Sequence, residues 1–250
     1  KNVIYELINQ GVPIDRVIFI TDKRGSEYLE DFKIKVYLLD VYRSKYGILG
    51  YVLNFYKLTK TIYISRKILL KENVNIVFTT GSYISPIASF LSFIMNIKLF
   101  IHEQNIYAGL GNKIASIFPS VVFTSYPNTR NLVRKNIYHV GPVINNNLQK
   151  SSELNSNDFT LGIQGGSQGS EEVNNLFYKY YTKNNMSSIN ILHITGKGKE
   201  IKNIEGTNYI QHDFIKDMNT YYSKIHLQIS RSGGGSLEAA YLGIPQILIP

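Results

Sequence analysis

Short apolar, β-prone runs alternate with longer amphipathic stretches along most of this chain. Val17–Thr21, Lys35–Leu39, Asn75–Thr79, Lys98–His102, Val121–Thr124 and Ile137–Val140 read as strands. Between them, Lys1–Gln10, Gly25–Asp31, Gly47–Lys71, Ile84–Met95 and Gly109–Phe118 read as helices. Such alternation predicts parallel βαβ units with short connections. From Val143 to Asn157 the chain turns polar, rich in Asn and Ser and without period, which predicts a linker. The alternation then restarts, with strands at Phe159–Ile163, Ile189–Ile194, Tyr209–His212, Leu227–Ser230 and Gln246–Ile249. Glu171–Lys183, Asp217–Ser223 and Ser236–Leu242 are the expected helices. The fold class is therefore α/β. Two domains, residues 1–144 and 158–250, are expected around a linker at 145–157, with a ligand cleft between them beyond the strands' carboxyl ends.

Composition narrows this picture. The 250 residues are 44% hydrophobic and 18% charged, a globular balance. With no cysteine, neither disulfides nor thiolate metal sites are expected. The apolar stretch Ile84 to Ile101 is broken by Asn96 and Lys98 and reads as a helix followed by a strand, not a membrane span. No charged-then-apolar secretory pattern opens the chain. It begins at Lys1 and ends at Pro250 directly after an apolar run, so a fragment cut within its fold is expected at both ends. The formal charge of +9 suits nucleic acid, anionic lipid or phosphorylated small molecules. Lys and Arg are spread along the whole chain and no nucleic-acid module is recognisable, so nucleic acid is not an expected partner.

Chemistry concentrates at strand-to-helix junctions. Gly165-Gly166-Ser167-Gln168-Gly169-Ser170 follows one strand and precedes a helix, an arrangement that presents backbone N–H groups to a phosphate. It lacks a Walker lysine and the dinucleotide spacing; it is either an anion loop or a plain turn. A second small-residue loop runs from Ser230 to Ser236. Arg231 in it is a phosphate or sugar ligand or else a solvated charge. Glu238, placed in the first turn of the next helix, is either a helix-dipole partner or an acceptor for a ribose diol. Gly81 to Pro86 is a third such turn. His102-Glu103-Gln104-Asn105 ends a strand: His102 is a proton acceptor or merely a strand cap, Glu103 its orienting group or a lysine's partner, and Asn105 a sugar ligand. No Asp-x-Asp pair follows any strand, so no metal clamp and no cofactor is expected; N–H groups and helix dipoles would meet the charge of a leaving diphosphate. Finally, Tyr42 to Lys71 interleaves aromatic and basic residues, as either an interfacial helix or a core helix with a basic back.

Taken together these stretches resemble the MurG family, the peripheral-membrane N-acetylglucosaminyltransferases that convert lipid I to lipid II in peptidoglycan synthesis. The matching segments are Gly81–Pro86, His102–Asn105 with Ala108–Lys113, Gly165–Gly169, Gly196–Gly198, Phe214–Met218 and Ser230–Pro245, in family order over nearly the whole chain. The resemblance implies a GT-B fold of two Rossmann-like domains. UDP-N-acetylglucosamine (UDP-GlcNAc) would lie in the C-terminal one and the lipid-linked acceptor in the N-terminal one. It implies Ser167 and Gln168 near the diphosphate, Glu238 near the ribose and Ile215 near uracil through its backbone. Asn105 and Arg231 would lie near the donor sugar, with Gly234 in the same loop. It also implies a membrane-facing Gly47–Lys71 segment at the cytoplasmic face of a bacterial plasma membrane.

The departures are specific. The family's first strand and glycine loop would precede Lys1, and its His-Gln donor segment would follow Pro250. Ile144 stands where a phosphate-contacting Arg is usual, and Ser82 replaces a usual glycine. The loop between Arg231 and Glu238 is one residue short. A gap is therefore expected in the first sheet, and these residues alone are expected to be unstable and inactive. The expected reaction is inverting glycosyl transfer with His102 as the in-chain base. The alternatives are another GT-B enzyme, such as a 2-epimerase or a glycolipid glycosyltransferase, or an inactive truncated product.

Overall fold

The computed structural model describes residues 2–26, 33–39, 48–133, 136–145, 148–149, 159–166, 168–184, 186, 188–201, 204 and 208–249, with backbone alone for 23, 24 and 48–55. The chain divides into two compact units, Lys1–Val143 and Ile144–Pro250.

The first unit runs α1 (Asn2–Asn9), a short 3-10 turn, β1 (Ile18–Thr21), α2 (Lys23–Ser26), β2 (Lys35–Leu38) and α3 (Ile48–Lys71). It continues through β3 (Ile76–Thr79), α4 (Ser85–Ile94), β4 (Lys98–Glu103), α5 (Leu110–Ala115), β5 (Val121–Thr124) and β6 (Ile137–His139). Every strand pair is parallel. Among the described residues the strands form two separate sheets, β1-β2 and β3-β4-β5-β6. Between them lies a cavity of about 150 Å³, lined by Ile18, Phe19 and Ile20 of β1 and by Val77, Phe78 and Thr79 of β3. Successive strand residues point to opposite faces, so three in a row can line one cavity only if the strand's edge faces it. Among the described residues no strand pairing joins β1 to β3, and Ser65 and Leu69 of α3 and Ala88 and Leu91 of α4 also line the cavity.

The second unit runs β7 (Thr160–Gln164), α6 (Glu171–Tyr181), β8 (Asn190–Ile194), β9 (Tyr209–His212), α7 (Met218–Tyr222), β10 (Leu227–Arg231), α8 (Gly234–Tyr241) and β11 (Gln246–Ile249). Its strands form one parallel sheet in the order β11-β10-β7-β8-β9. The chain winds outward from β7 to β9, then returns to β10 beside β7 and winds the other way. This reversal of direction opens a crevice at the carboxyl ends of β7 and β10. Both faces are covered: Leu192, Ile194, Tyr221, Tyr222 and Ala239 form one cluster, and Leu161, Ile163, Val173, Phe177 and Ile191 another. Burying each large side chain contributes about 1.5–3 kcal/mol, and two-sided burial is why β7 and β8 read as apolar runs, whereas the edge strands β9 and β11 stay largely exposed.

Three expectations change. The last helix begins at Gly234 rather than Ser236. Gly233 N–H donates to Ser236 Oγ (3.2 Å) and the Ser236 hydroxyl donates back to Gly233 O (2.7 Å), a cap hidden by the poor helix propensity of Gly-Gly-Ser. Glu238 therefore stands beyond the first turn, which weakens its reading as a helix-dipole partner. The expected linker also starts too early. Leu148 is buried in the second unit's core, and Gln149 N–H donates to Asn219 Oδ1 (3.0 Å). Residues 150–158 lie outside the described residues. Of the helix expected at Gly25–Asp31, only α2, ending at Ser26, is described.

Candidate active site

The loop after β7 has its shape because only glycine fits at three places. A Cβ on Gly165 would stand 2.2 Å from the Ser170 nitrogen. Gly169, at φ +68°, would place a Cβ 2.0 Å from the Thr195 carbonyl oxygen, and Gly166 has φ +86°. Ser170 then caps α6, its Oγ accepting from Val173 N–H (3.3 Å). Among the described residues, the N–H groups of Gly166, Gln168, Glu171 and Glu172 find no protein acceptor. Free amides at the start of an 11-residue helix are what an anion requires. Two exposed first-turn carboxylates, Glu171 and Glu172, work against an anion here. Lys199 offsets them: its Nζ donates to the carbonyls of Gln168 (3.0 Å) and Gly169 (3.2 Å), fixing a cation on the loop. Gln168 is exposed on this loop. Ser167 lies outside the described residues.

A buried polar cluster braces the loop from behind. Asn174 Nδ2 donates to the carbonyls of Thr195 (3.0 Å) and Lys199 (3.1 Å). Its Oδ1 lies 3.0 Å from His193 Nε2, which must then carry the hydrogen, so His193 Nδ1 accepts from the Tyr209 hydroxyl (2.8 Å). Burial pushes the His193 imidazole down to about 4, keeping it neutral, and raises the Tyr209 phenol.

The second loop approaches from β10. Arg231 ends that strand exposed to solvent, and Gly234 opens α8, also exposed. Gly235 packs so closely on the end of β7 that a Cβ would meet the Gln164 carboxamide at 2.8 Å. The two loops are thus neighbours at the crevice, and Glu238 of α8 joins them. Its Oε2 accepts from the Tyr222 hydroxyl (3.0 Å); burial raises the carboxyl's pKa and the Tyr222 bond pulls it back. Ile215 packs its side chain on the core cluster that contains Tyr222, so a role at the site falls to its backbone.

In the first unit the strand-end tetrapeptide behaves differently from expectation. His102 is 2% exposed, its Nε2 faces Ser125 Oγ (3.5 Å), and Nδ1 makes no hydrogen bond. Burial lowers its pKa, with Gly141's backbone and the Glu103 charge pulling upward. Enclosure favours the reading of His102 as a strand-end residue over its reading as a proton acceptor. Glu103 does not orient the ring either. Its carboxylate accepts from Asn105 N–H (2.9 Å), Asn105 Nδ2 (3.0 Å), Gly109 N–H (3.2 Å) and Asn112 Nδ2 (2.9 Å), folding the turn before α5. Asn105 is exposed on that turn. Ser82 holds φ +77°, a conformation that suits glycine, and Gly111 packs on its carbonyl, where a Cβ would come within 2.2 Å.

Sequence reasoning missed Lys199, Asn174, Tyr222, Gln164 and Gln228. Only the glutamines left a signal, as polar residues inside otherwise apolar strands.

Two parallel α/β units, the second with a glycine loop and a carboxylate at its switch point, define a protein of the GT-B class. The N-terminal domain model of glycosyltransferase family 28 matches residues 2–124, and the C-terminal domain model of the same family matches residues 160–250. A Thermotoga neapolitana UDP-N-acetylglucosamine–N-acetylmuramyl-(pentapeptide) pyrophosphoryl-undecaprenol N-acetylglucosamine transferase is 29% identical over 99% of this chain and 74% of its own length. Proteins of the same name from Staphylococcus aureus are similar: in strain MRSA252 the match is 28% over 100% of this chain and 73% of the relative, and in strain RF122 it is 29% over 78% and 58%. The Acinetobacter baumannii MurG crystal structure superposes with a TM-score of 0.68 at 22% identity, covering 100% of this chain and 73% of that one. A Neisseria meningitidis UDP-GlcNAc 2-epimerase bound to UDP-GlcNAc reaches 0.69 at 15%, covering 98% and 77%. At such identities the structures speak for the fold. The chain belongs to the MurG family, within glycosyltransferase family 28.

Proposed function

We propose that the second unit binds UDP-GlcNAc and that the protein transfers its N-acetylglucosamine to lipid I, giving lipid II. The observation that carries this is the meeting, at the carboxyl ends of β7 and β10, of a free-amide loop and a half-buried carboxylate. The diphosphate would rest on the N–H groups of the 165–170 loop and α6, with Ser167, Gln168 and the Lys199 charge beside it. Glu238 would take the ribose hydroxyls and the Ile215 backbone the uracil. Arg231, Gly234 and Asn105 are the groups proposed for the donor sugar. The acceptor hydroxyl attacks the anomeric carbon as the bond to the diphosphate oxygen breaks, inverting that centre; UDP leaves with the electron pair, and the hydroxyl proton passes to a base. Main-chain amides and Lys199 meet the leaving charge in this reading, without a metal or other cofactor, and nucleic acid has no part in it.

The membrane reading rests on α3. Tyr56, Tyr63, Ile64 and Leu70 are exposed beside Lys60, Arg66 and Lys67. Aromatic and basic side chains sharing an exposed surface suit an anionic headgroup layer. Among the described residues no helix is long and apolar enough to cross a membrane, so we propose peripheral attachment at the cytoplasmic face of the plasma membrane.

Donor binding is the part of this reading that the second unit carries by itself. Calorimetry with UDP is therefore the test: binding by the folded chain supports the reading, and a folded chain that ignores UDP overturns it. Product analysis separates the reactions. Lipid II and UDP formed from lipid I indicate the proposed transfer, and the donor's 2-epimer formed without acceptor would indicate the epimerase.

A further inference from the structure

A buried chain of amides and one phenol runs beneath the nucleotide crevice of the second unit. Gln164, at the end of β7, is 5% exposed, and Gln228, in β10, is fully buried at 0%. Gln164 Nε2 donates to Gln228 Oε1 (2.8 Å) and to the Tyr222 hydroxyl (3.4 Å). Gln228 Nε2 lies 3.0 Å from Ser230 Oγ, 3.0 Å from Gln246 Oε1 and 3.4 Å from the Gly235 carbonyl. Gln246 Nε2 donates to the Ser236 carbonyl (2.9 Å). Tyr222 Oη stands 3.2 Å from the Gly235 carbonyl and 3.0 Å from Glu238 Oε2. A phenol has one hydrogen, and the carboxylate is the stronger acceptor, so the hydrogen goes to Glu238 while Gln164 covers an oxygen lone pair.

Holding a sheet together does not require this arrangement. Neighbouring positions of β7 and β10 are filled by Leu161, Ile163 and Ile229, and apolar residues at 164 and 228 would avoid the desolvation of two amides. The network is sustained because its members satisfy one another, and its outward bonds converge on one place, the start of α8 and Glu238. Gly235 completes the device, because a side chain there would displace Gln164.

We propose that Tyr222 is a positioning residue for nucleotide recognition: its hydroxyl, held by Gln164, fixes Glu238 Oε2 and so aims the carboxylate's remaining acceptor sites at a ribose diol. This rests on the reading of Glu238 as the ribose ligand, and the experiment tests the two separately. Calorimetry on the full chain compares UDP with 2′,3′-dideoxy-UDP, which lacks the diol. Wild type should prefer UDP, and Glu238→Gln should abolish that preference. Tyr222→Phe should bind UDP roughly tenfold more weakly, yet bind the dideoxy nucleotide within about twofold of wild type. Gln164→Met should shift selectivity in the same direction by a smaller factor, and it carries the comparison if Tyr222→Phe does not fold. Equal loss for both nucleotides would reduce Tyr222 to a structural role, and unchanged binding of both would remove it altogether. A wild type that does not distinguish the nucleotides, or a Glu238→Gln variant that still does, overturns the ribose reading itself and this proposal with it.

Discussion

In the second unit β7 is paired on both edges, by β8 and by β10, and its carboxyl end delivers the glycine loop to α6. In the first unit the corresponding place, between β1 and β3, is a cavity of about 150 Å³, and among the described residues no strand joins the two sheets there. The flanking windings match: β2-β1 and β3-β4 in one unit stand where β9-β8 and β10-β11 stand in the other. The strand at a switch point therefore does two things at once. It joins the halves of the sheet, and it positions the loop that meets the ligand. Where it is present, amides, cation and carboxylate converge. In the first unit, His102 and Glu103 at the end of β4 are buried together with Asn112 of α5, whose Nδ2 donates to the His102 carbonyl and the Glu103 carboxylate.

The largest consequence concerns local stability. Amides of β7 and β8 should exchange with solvent about a thousandfold more slowly than those of β1 and β3, because only the former are paired within an unbroken sheet. Residue-resolved hydrogen exchange checks this, and equal protection would break the comparison.

Acid should act next, and mainly on the second unit. His193 is held near 4 in the folded chain against an ordinary value of 6.5. Between these values the unfolded chain takes up a proton and the folded chain does not. Stability is thus complete above about pH 6.5 and falls as pH drops toward 4, by about 3 kcal/mol. His102 is shifted the same way by burial, so the first unit should lose stability with the same sign. Urea unfolding as a function of pH, with signals assigned to each unit, measures the difference.

Glu238→Ala should weaken UDP binding by about 2 kcal/mol, roughly thirtyfold, while leaving exchange in the first unit unchanged. Unaltered affinity by calorimetry would remove Glu238 from the site. The smallest effect is at Ser82, whose φ of +77° sits in the left-handed region. Ser82→Gly should stabilise the first unit by about 0.5–1 kcal/mol, read as a raised thermal midpoint for that unit alone.

Much of this was legible in the sequence. Val121–Thr124, Tyr209–His212 and Gln246–Ile249 stand where their β-prone runs predict, and this holds even for β9 and β11, edge strands that stay largely exposed, because β-branched and aromatic residues between turn signals mark a strand at any depth. What was hidden depends on contacts between distant segments. Gly234 and Gly235 look like loop residues until Ser236 caps the turn and Gln164 meets Gly235. Leu148 sits in a polar run, and only the core around Tyr222 shows that it is packed. Lys199 is one lysine among many until its Nζ lies on the Gln168 and Gly169 carbonyls. His102 carried the chemistry of a base, but burial, which four residues of sequence do not reveal, encloses it.

The central claim is that main-chain amides at the start of α6, with Glu238 beside them, receive a UDP-sugar. Titrating the chain with UDP while following backbone amide resonances tests it most directly. The account predicts saturable shifts at Gly166, Gln168, Glu171 and Glu172, with weaker ones around Glu238 and none in β4 or β5. Shifts confined to the first unit, or saturating UDP that leaves the α6 amides unmoved, would contradict it.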